Sequence, residues 1–198
     1  ELEVVYVNNQ YDNLEVREIS GTDISVSYQV NSDNYGLFDF SINAAHLRKF
    51  MQTPDPISAI VLEAQENGNP AVPIDIPVVG AGDLRQMNGN PKWRAFTRLD
   101  WDLGNWGAGI RVNYIDDFYE TSVTTSEGDM MPIDSWTTTD IYLDYHFSQR
   151  SLDGLSIRLG ARNIANKKPP IADESFGYFS DVHSNRGRYT YATLSWAF

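Results

Sequence analysis

Five arginines and three aspartates sit on the polar face of four alternating stretches of this chain: Arg94, Arg98, Asp100 and Asp102, then Arg111, Asp144, Arg158 and Arg162. Two chemistries are open to such a set. The guanidinium groups can bind an anionic substrate, or they can pair with the aspartates across neighbouring strands and stiffen a wall. A second group is aromatic: Phe176, Tyr178, Phe179 and His183 lie close together near the end of the chain. Their rings can stack on a sugar or a catechol, or pack the segment against its neighbours.

Other chemistries find no support. The chain has no cysteine, so disulfides, zinc-thiolate centres and cysteine nucleophiles are excluded. His46, His146 and His183 share no metal-ligand spacing. No Ser-His-Asp order, phosphate loop or paired-carboxylate motif stands out, so neither catalysis nor a cofactor is expected. Acidic residues cluster at Asp55, Glu63, Glu66, Asp75 and Asp83, at Glu127, Asp129 and Asp134, and at Asp173, Glu174 and Asp181. They read as a solvated surface neutralised by ambient divalent cations, with a cation-binding mouth as the sharper alternative. No calcium loop is present. A formal net charge of -12 and a sequence pI of about 4.5 argue against nucleic acid as a partner.

These residues need elements to position them, and the elements show period two. Trp93, Ala95, Thr97, Leu99, Trp101 and Leu103 alternate with Arg94, Phe96, Arg98, Asp100 and Asp102. Ile141, Leu143, Tyr145 and Phe147 alternate with Asp140, Tyr142, Asp144 and His146. Such alternation predicts strands with one apolar and one polar face. Seven are expected, near 14–30, 37–53, 93–104, 106–123, 135–148, 155–168 and 188–198, with a further alternating stretch at 2–9. Short connections (31–36, 103–107, 148–154) alternate with long ones at 54–92, 124–134 and 169–187. All nine prolines fall in the long connections, so none is expected in a strand.

Several of these strands exceed ten residues, longer than soluble strands usually run and long enough to cross a bilayer when tilted. Tyr28, Phe38, Trp101, Trp106, Tyr145, Phe147, Trp196 and Phe198 stand on apolar faces beside the short connections, with Trp93, Tyr114 and Trp136 near the long ones. Aromatic girdles, short turns at one end and long loops at the other predict an antiparallel transmembrane β-barrel. Its short turns would lie in the periplasm and its long loops outside the cell. No apolar run reaches the length of a membrane helix. The first residues, ELEVVYVNN, are not a signal peptide, so an export signal is expected upstream.

The stretch from Gly160 to Phe198 resembles the C-terminus of TonB-dependent outer-membrane receptors. The resemblance rests on Arg162, Asn163, Ile164, Asn166, Lys167, Lys168, Pro169 and Pro170, then Gly187, Arg188, Tyr189, Leu194, Ser195 and Phe198. ISGTDISVSY (Ile19 to Tyr28) and GNPKWRAFTRLDW (Gly89 to Trp101) also look like late strands of that family. Such receptors are plugged barrels of about 22 strands. They take up siderophores, haem, cobalamin, nickel complexes or oligosaccharides with TonB-derived energy. The resemblance implies that residues 1–198 are the C-terminal part of such a barrel, about eight strands of it, integral to the bacterial outer membrane. It also implies partners: the remaining barrel and plug segment in the same or another chain, TonB acting through that plug, outer-membrane lipid and lipopolysaccharide, and the barrel assembly machinery. Phe176, Tyr178, Phe179 and His183 become ligand-contact candidates. Leu194, Trp196 and Phe198 become an assembly signal. Two rivals stand beside this expectation. One is a self-contained eight-stranded outer-membrane barrel with a structural or adhesion role. The other is a soluble β-sandwich binding module. Removing Phe198 is expected to lower outer-membrane yield, measured by immunoblot of membrane fractions; an unchanged yield would count against the assembly signal.

Overall fold

The computed structural model describes residues 16–72, 78, 80–149 and 151–197. The stretch at 2–9 and Phe198 therefore lie outside the described residues. The described residues form ten strands and one helix in the order β1 (Arg17–Ser32), β2 (Gly36–Gln52), α1 (Pro56–Glu66), β3 (Gly82–Asp83), β4 (Trp93–Leu103), β5 (Trp106–Ile115), β6 (Phe118–Thr124), β7 (Met130–Ile133), β8 (Trp136–His146), β9 (Leu155–Arg162) and β10 (Tyr189–Trp196). The main sheet is antiparallel and ordered β1-β2-β4-β5-β8-β9-β10, with the short β3 beside β2. β6 and β7 form a separate ribbon.

The register carries the period-two pattern across the whole sheet. Tyr28 faces Phe40, which faces Leu99, then Ile110, Ile141 and Ala161. One step along, Gln29, Asp39, Asp100, Gly109, Tyr142, Gly160 and Tyr191 form a row on the other face. The apolar face is uncovered: Tyr28 is 67% exposed, Leu194 69% and Trp196 62%. A soluble sandwich would bury that face against a second sheet. Here the buried apolar residues among those described are Phe118, Ile133, Trp136, Ala172 and Phe179, none of which lies on the sheet's apolar face. β1 pairs only with β2 and β10 only with β9, so the sheet is open at both edges among the described residues.

The turn end is finished by aromatics and tight turns. Trp106 meets Tyr145 edge-on at 4.7 Å, and Tyr145 meets Phe147 at 5.0 Å. Trp101 Nε1 donates to the carbonyl of Tyr35 at 2.7 Å, and Trp196 Nε1 to that of Asp153 at 3.2 Å. The indole rings thus lie on the apolar face with their N–H groups satisfied by the turns, as an interfacial position requires. The two-residue turn between β4 and β5 places Gly104 at φ 57°, the positive φ that primed hairpin turns demand.

Four expectations are corrected. A helix, α1, forms inside the connection 54–92. Asp55 caps it, accepting from Ile57 N at 2.9 Å and Ser58 N at 3.1 Å, and Pro56 opens its first turn. The strand expected at 106–123 splits at Asp116 and Asp117. Alternation continues through β6, but β4 begins at Trp93 and offers β5 no partner beyond Ile115. β6 therefore leaves the sheet and pairs with β7. Pro132 lies inside β7, opposite Tyr119, because a ribbon edge needs no donor there. The strand expected at 155–168 stops at Arg162, since Asn163 adopts φ 47°.

On the polar face, Tyr142 lies over Gly109, its register partner, and reaches Asp100; Tyr191 lies over Gly160. A Cβ at Gly109 would collide with the Tyr142 ring and with Asp100. Gly109→Val is expected to cost about 1–3 kcal/mol by overpacking. The loss is read as a lower temperature for disappearance of the folded band in gel electrophoresis of unboiled samples. Ala108→Val, on the opposite face, should change little. Equal losses in both variants would remove the Gly109–Tyr142 contact as the cause.

Candidate functional site

The polar face divides into a paired half and an unpaired half. Toward the turn end, Arg98 bonds Asp100, and Tyr142 donates its hydroxyl to the other oxygen of the same carboxylate. Arg158 grips Asp144 with two bonds of 2.6 Å each, and its guanidinium lies 4.2 Å from the centre of the Tyr142 ring. Asp100 and Asp144 are buried beneath these partners. This set is a stiff wall, since bidentate guanidinium–carboxylate bonds fix both partners. The pairing expectation holds for Arg98 and Arg158. Arg94, Arg111 and Arg162 reach no carboxylate among the described residues, and neither does Asp102 reach a cation.

The motif around Asn163 organises the loop end. Asn163 is buried, at a left-handed φ that asparagine tolerates better than most residues. Its N–H donates to Asp140 Oδ1 at 2.8 Å. Its side-chain amide donates to the carbonyl of Lys167 at 2.8 Å and accepts from Lys167 N at 2.8 Å. Asn166, also at positive φ, accepts from Arg188 N at 2.9 Å through its side chain. One short motif thus ends β9, anchors it to β8 and fastens the last loop to the start of β10.

Above it, the β6–β7 ribbon and the last loop form a small apolar core: Phe118, Ile133, Ala172 and Phe179, with Val182 packed alongside. Phe118 meets Phe179 edge-on at 5.0 Å. Trp136, expected in a lipid-facing girdle, is buried instead, donating Nε1 to the carbonyl of Lys168 at 3.0 Å. Its position in β8 shares a face with Asp140 and Asp144, so its parity already points to the polar side. Buried Glu120 accepts from Asp173 N at 2.8 Å and from Ser122 at 2.6 Å, which ties the β6–β7 ribbon to the last loop. Asn88 locks the connection 84–92 onto β6 through Thr121, donating at 2.7 Å and accepting at 2.9 Å.

His183 is 4% exposed in this core, stacked on Phe118 at 5.8 Å and edge-on to Trp136 at 5.5 Å. Neither ring nitrogen has a hydrogen-bond partner among the described residues. Burial, then the charge of Arg94, pushes its pKa below the ordinary histidine value. Phe179 is likewise inside the core, Tyr178 is half-buried, and Phe176 is 74% exposed. Among the acidic residues, Asp55 is held below its ordinary pKa by Ser58 and the helix N–H groups, and Asp83 by hydrogen bonding to Arg85. No three His, Asp or Glu side chains converge among the described residues.

Between the loop core and the sheet lies a cavity of about 740 Å³. Phe96, Ile115 and Trp136 give it apolar surface, and Arg94, Arg162 and Arg186 give it charge. Val182 and Ser184 line it while His183 between them turns into the loop core, so the last loop is the partition between cavity and core. Sequence parity identifies Arg94 and Arg162 as polar-face residues, but nothing in the sequence brings Arg186 to them.

The partition should be acid-sensitive. Because the folded pKa of His183 lies below its unfolded value, its neutral form is the one the fold accommodates. That stability is fully present above the unfolded pKa, near 6.5, and is lost as pH falls from there through the folded pKa. The hydrogen-exchange protection factor of the segment 176–187, corrected for the intrinsic rate at each pH, is expected to fall on acidification through this range, and His183→Phe should flatten the dependence. Phe118→Ala should loosen the same segment at every pH, at a cost of about 3–5 kcal/mol. An unchanged acid response in His183→Phe would remove His183 as its source.

The family model described as TonB dependent receptor-like, beta-barrel matches residues 2–164. The unliganded ferric citrate transporter FecA superposes with a TM-score of 0.59 at 14% identity, covering 96% of this chain and 27% of its own. A variant of the ferric enterobactin receptor PfeA of Pseudomonas aeruginosa superposes with a TM-score of 0.52 at 14% identity, covering 91% and 22%. The chain therefore spans about a quarter of the length of these solved structures. No curated protein sequence matches it. The open sheet is accordingly a section of a larger barrel, and with a family match across most of its length the chain belongs to the TonB-dependent receptor-like β-barrel family.

Proposed function

We propose that this chain forms the C-terminal part of an outer-membrane active-transport receptor, which takes up a scarce nutrient of the siderophore, haem, cobalamin or oligosaccharide class with TonB-derived energy. The family match over residues 2–164 carries this proposal. The uncovered apolar face supports it, because lipid is the solvent in which such a face is stable. The open edges support it too, since unpaired strand edges are not tolerated in hydrocarbon and the remaining barrel would close them.

The family is one of transporters and receptors rather than enzymes, and the mechanism proposed is non-covalent. The loops capture the ligand, the barrel provides the passage, and a plug contacted by TonB gates it. The paired wall of Arg98, Asp100, Tyr142, Arg158 and Asp144 keeps the passage in shape while a plug moves. Exposed Phe176 and half-buried Tyr178 are the ring faces of the last loop open to a ligand, whereas Phe179 and His183 hold that loop in place. Leu194 and Trp196, displayed on the apolar face of β10, are available to the barrel assembly machinery. Lipopolysaccharide and outer-membrane lipid would contact the remaining apolar surface.

The experiment is genetic. A strain lacking the gene that encodes this chain is grown with single limiting nutrients: iron chelates, haem, cobalamin or oligosaccharides. Growth should fail on one class, and deletion of tonB should reproduce the failure. Normal growth on every class would overturn the proposal.

A further inference from the structure

We infer that the cavity at the loop end is a binding site for a hydroxylated small molecule carrying two or more carboxylate or phosphate groups, held by Arg94, Arg162 and Arg186. The inference names a ligand chemistry for the uptake receptor proposed above and rests on that proposal.

The first observation is the distribution of charge. Acidic residues outnumber basic ones, 27 to 15, so carboxylates are plentiful. Lower on the same face Arg98 and Arg158 each take an aspartate. The three arginines at the cavity take none among the described residues. Arg94 spends one N–H on the carbonyl of Gly89 at 3.2 Å, and Arg162 lies 5.9 Å from the ring centre of Tyr191. Both side chains remain exposed, as does that of Arg186. Guanidinium forks left open in a concave site are preorganised for bidentate anions.

The second observation is spacing. Arg94 is on β4 and Arg162 on β9, with β5 and β8 between them. Three strand spacings amount to about 14 Å across the sheet, and the register offsets Arg162 from Arg94 by four residues along β8, about 13 Å more, so their backbones lie on the order of 20 Å apart. A single carboxylate cannot bridge that distance, but a ligand with several anionic groups can. The cavity volume, about 740 Å³, suits a ligand of that size.

The third observation is what lies between. Asp23 and Asp140 also line the cavity. Asp140 uses Oδ1 on the Asn163 N–H, so its second oxygen can accept from a ligand hydroxyl. Phe96, Ile115 and Trp136 offer surface to the ligand's carbon skeleton. Anionic ends and a hydroxylated middle match this arrangement.

The test uses the full-length receptor containing this chain, purified in detergent. Trigalacturonate supplies carboxylates, inositol hexakisphosphate supplies phosphates, and maltotriose is the neutral control. Binding is followed by calorimetry and by tryptophan fluorescence, since Trp136 lines the cavity. At least one anionic probe should bind about tenfold or more tighter than maltotriose, weakening as salt is raised. Which probe binds decides between carboxylate and phosphate. Arg94→Gln, Arg162→Gln and Arg186→Gln should each weaken that probe about tenfold, while Arg48→Gln, away from the cavity, should not. Retention of the folded band in unboiled gels guards against misfolding. Equal affinity for maltotriose, or undiminished binding in all three variants, would overturn the site. Tight anion binding without TonB-dependent uptake would instead overturn the transport proposal and leave the site standing.

Discussion

Everything in this sheet depends on register. A strand shows its two faces with period two, so a slip of one residue would turn its apolar row toward the polar side. Across the sheet the rows stay in phase: Val30, Phe38, Trp101, Ala108, Leu143, Leu159 and Ala192 on one face, with Asp100, Tyr142 and Tyr191 in the neighbouring row on the other. Side-chain contacts of high specificity pin that phase. Tyr142 can lie flat only over a glycine, and its hydroxyl finds Asp100 two strands away only in this alignment. The bidentate Arg158–Asp144 bond does the same between β8 and β9.

The loop end obeys a different constraint. There the chain leaves the sheet and must still satisfy its backbone polar groups. Asn163 and Asn166 solve this locally, adopting conformations that end the strand while their amides bind loop backbone. Glu120 and Asn88 do so between loops. Once the backbone is secured, Phe118, Ile133, Ala172 and Phe179 can close into a core of their own. The molecule therefore carries its buried apolar packing in its loops, while the sheet keeps its apolar face turned outward. This inversion is what a barrel wall in lipid requires and what a soluble fold forbids.

Polar pairing also changes along the polar face of the sheet. Near the turns, arginines are neutralised by aspartates and stiffened by Tyr142; near the loops, Arg94, Arg162 and Arg186 stay open around a cavity. The sheet thus has a rigid wall toward the turns and exposed guanidinium groups toward the loops.

The sequence alone determined the seven long strands of the main sheet, though not where two of them stop, together with their two faces, their short turns and the family. Alternation is a local property, and Gly104 and the Arg162–Pro170 motif are local signals too. The cap of α1, Asp55-Pro56, and the parity of Trp136 are local signals of the same kind. Tertiary structure decided what depends on partners distant in the chain. β6 leaves the sheet because β4 supplies nothing beyond Trp93 for β5 to extend along. Phe179 and His183 become core because the β6–β7 ribbon and Trp136 of β8 arrive to bury them. Arg186 joins Arg94 and Arg162 because the Asn163 motif draws the last loop across the sheet. Periodicity records which way a side chain points, while the partner it meets is set by which strands and loops run out, and where.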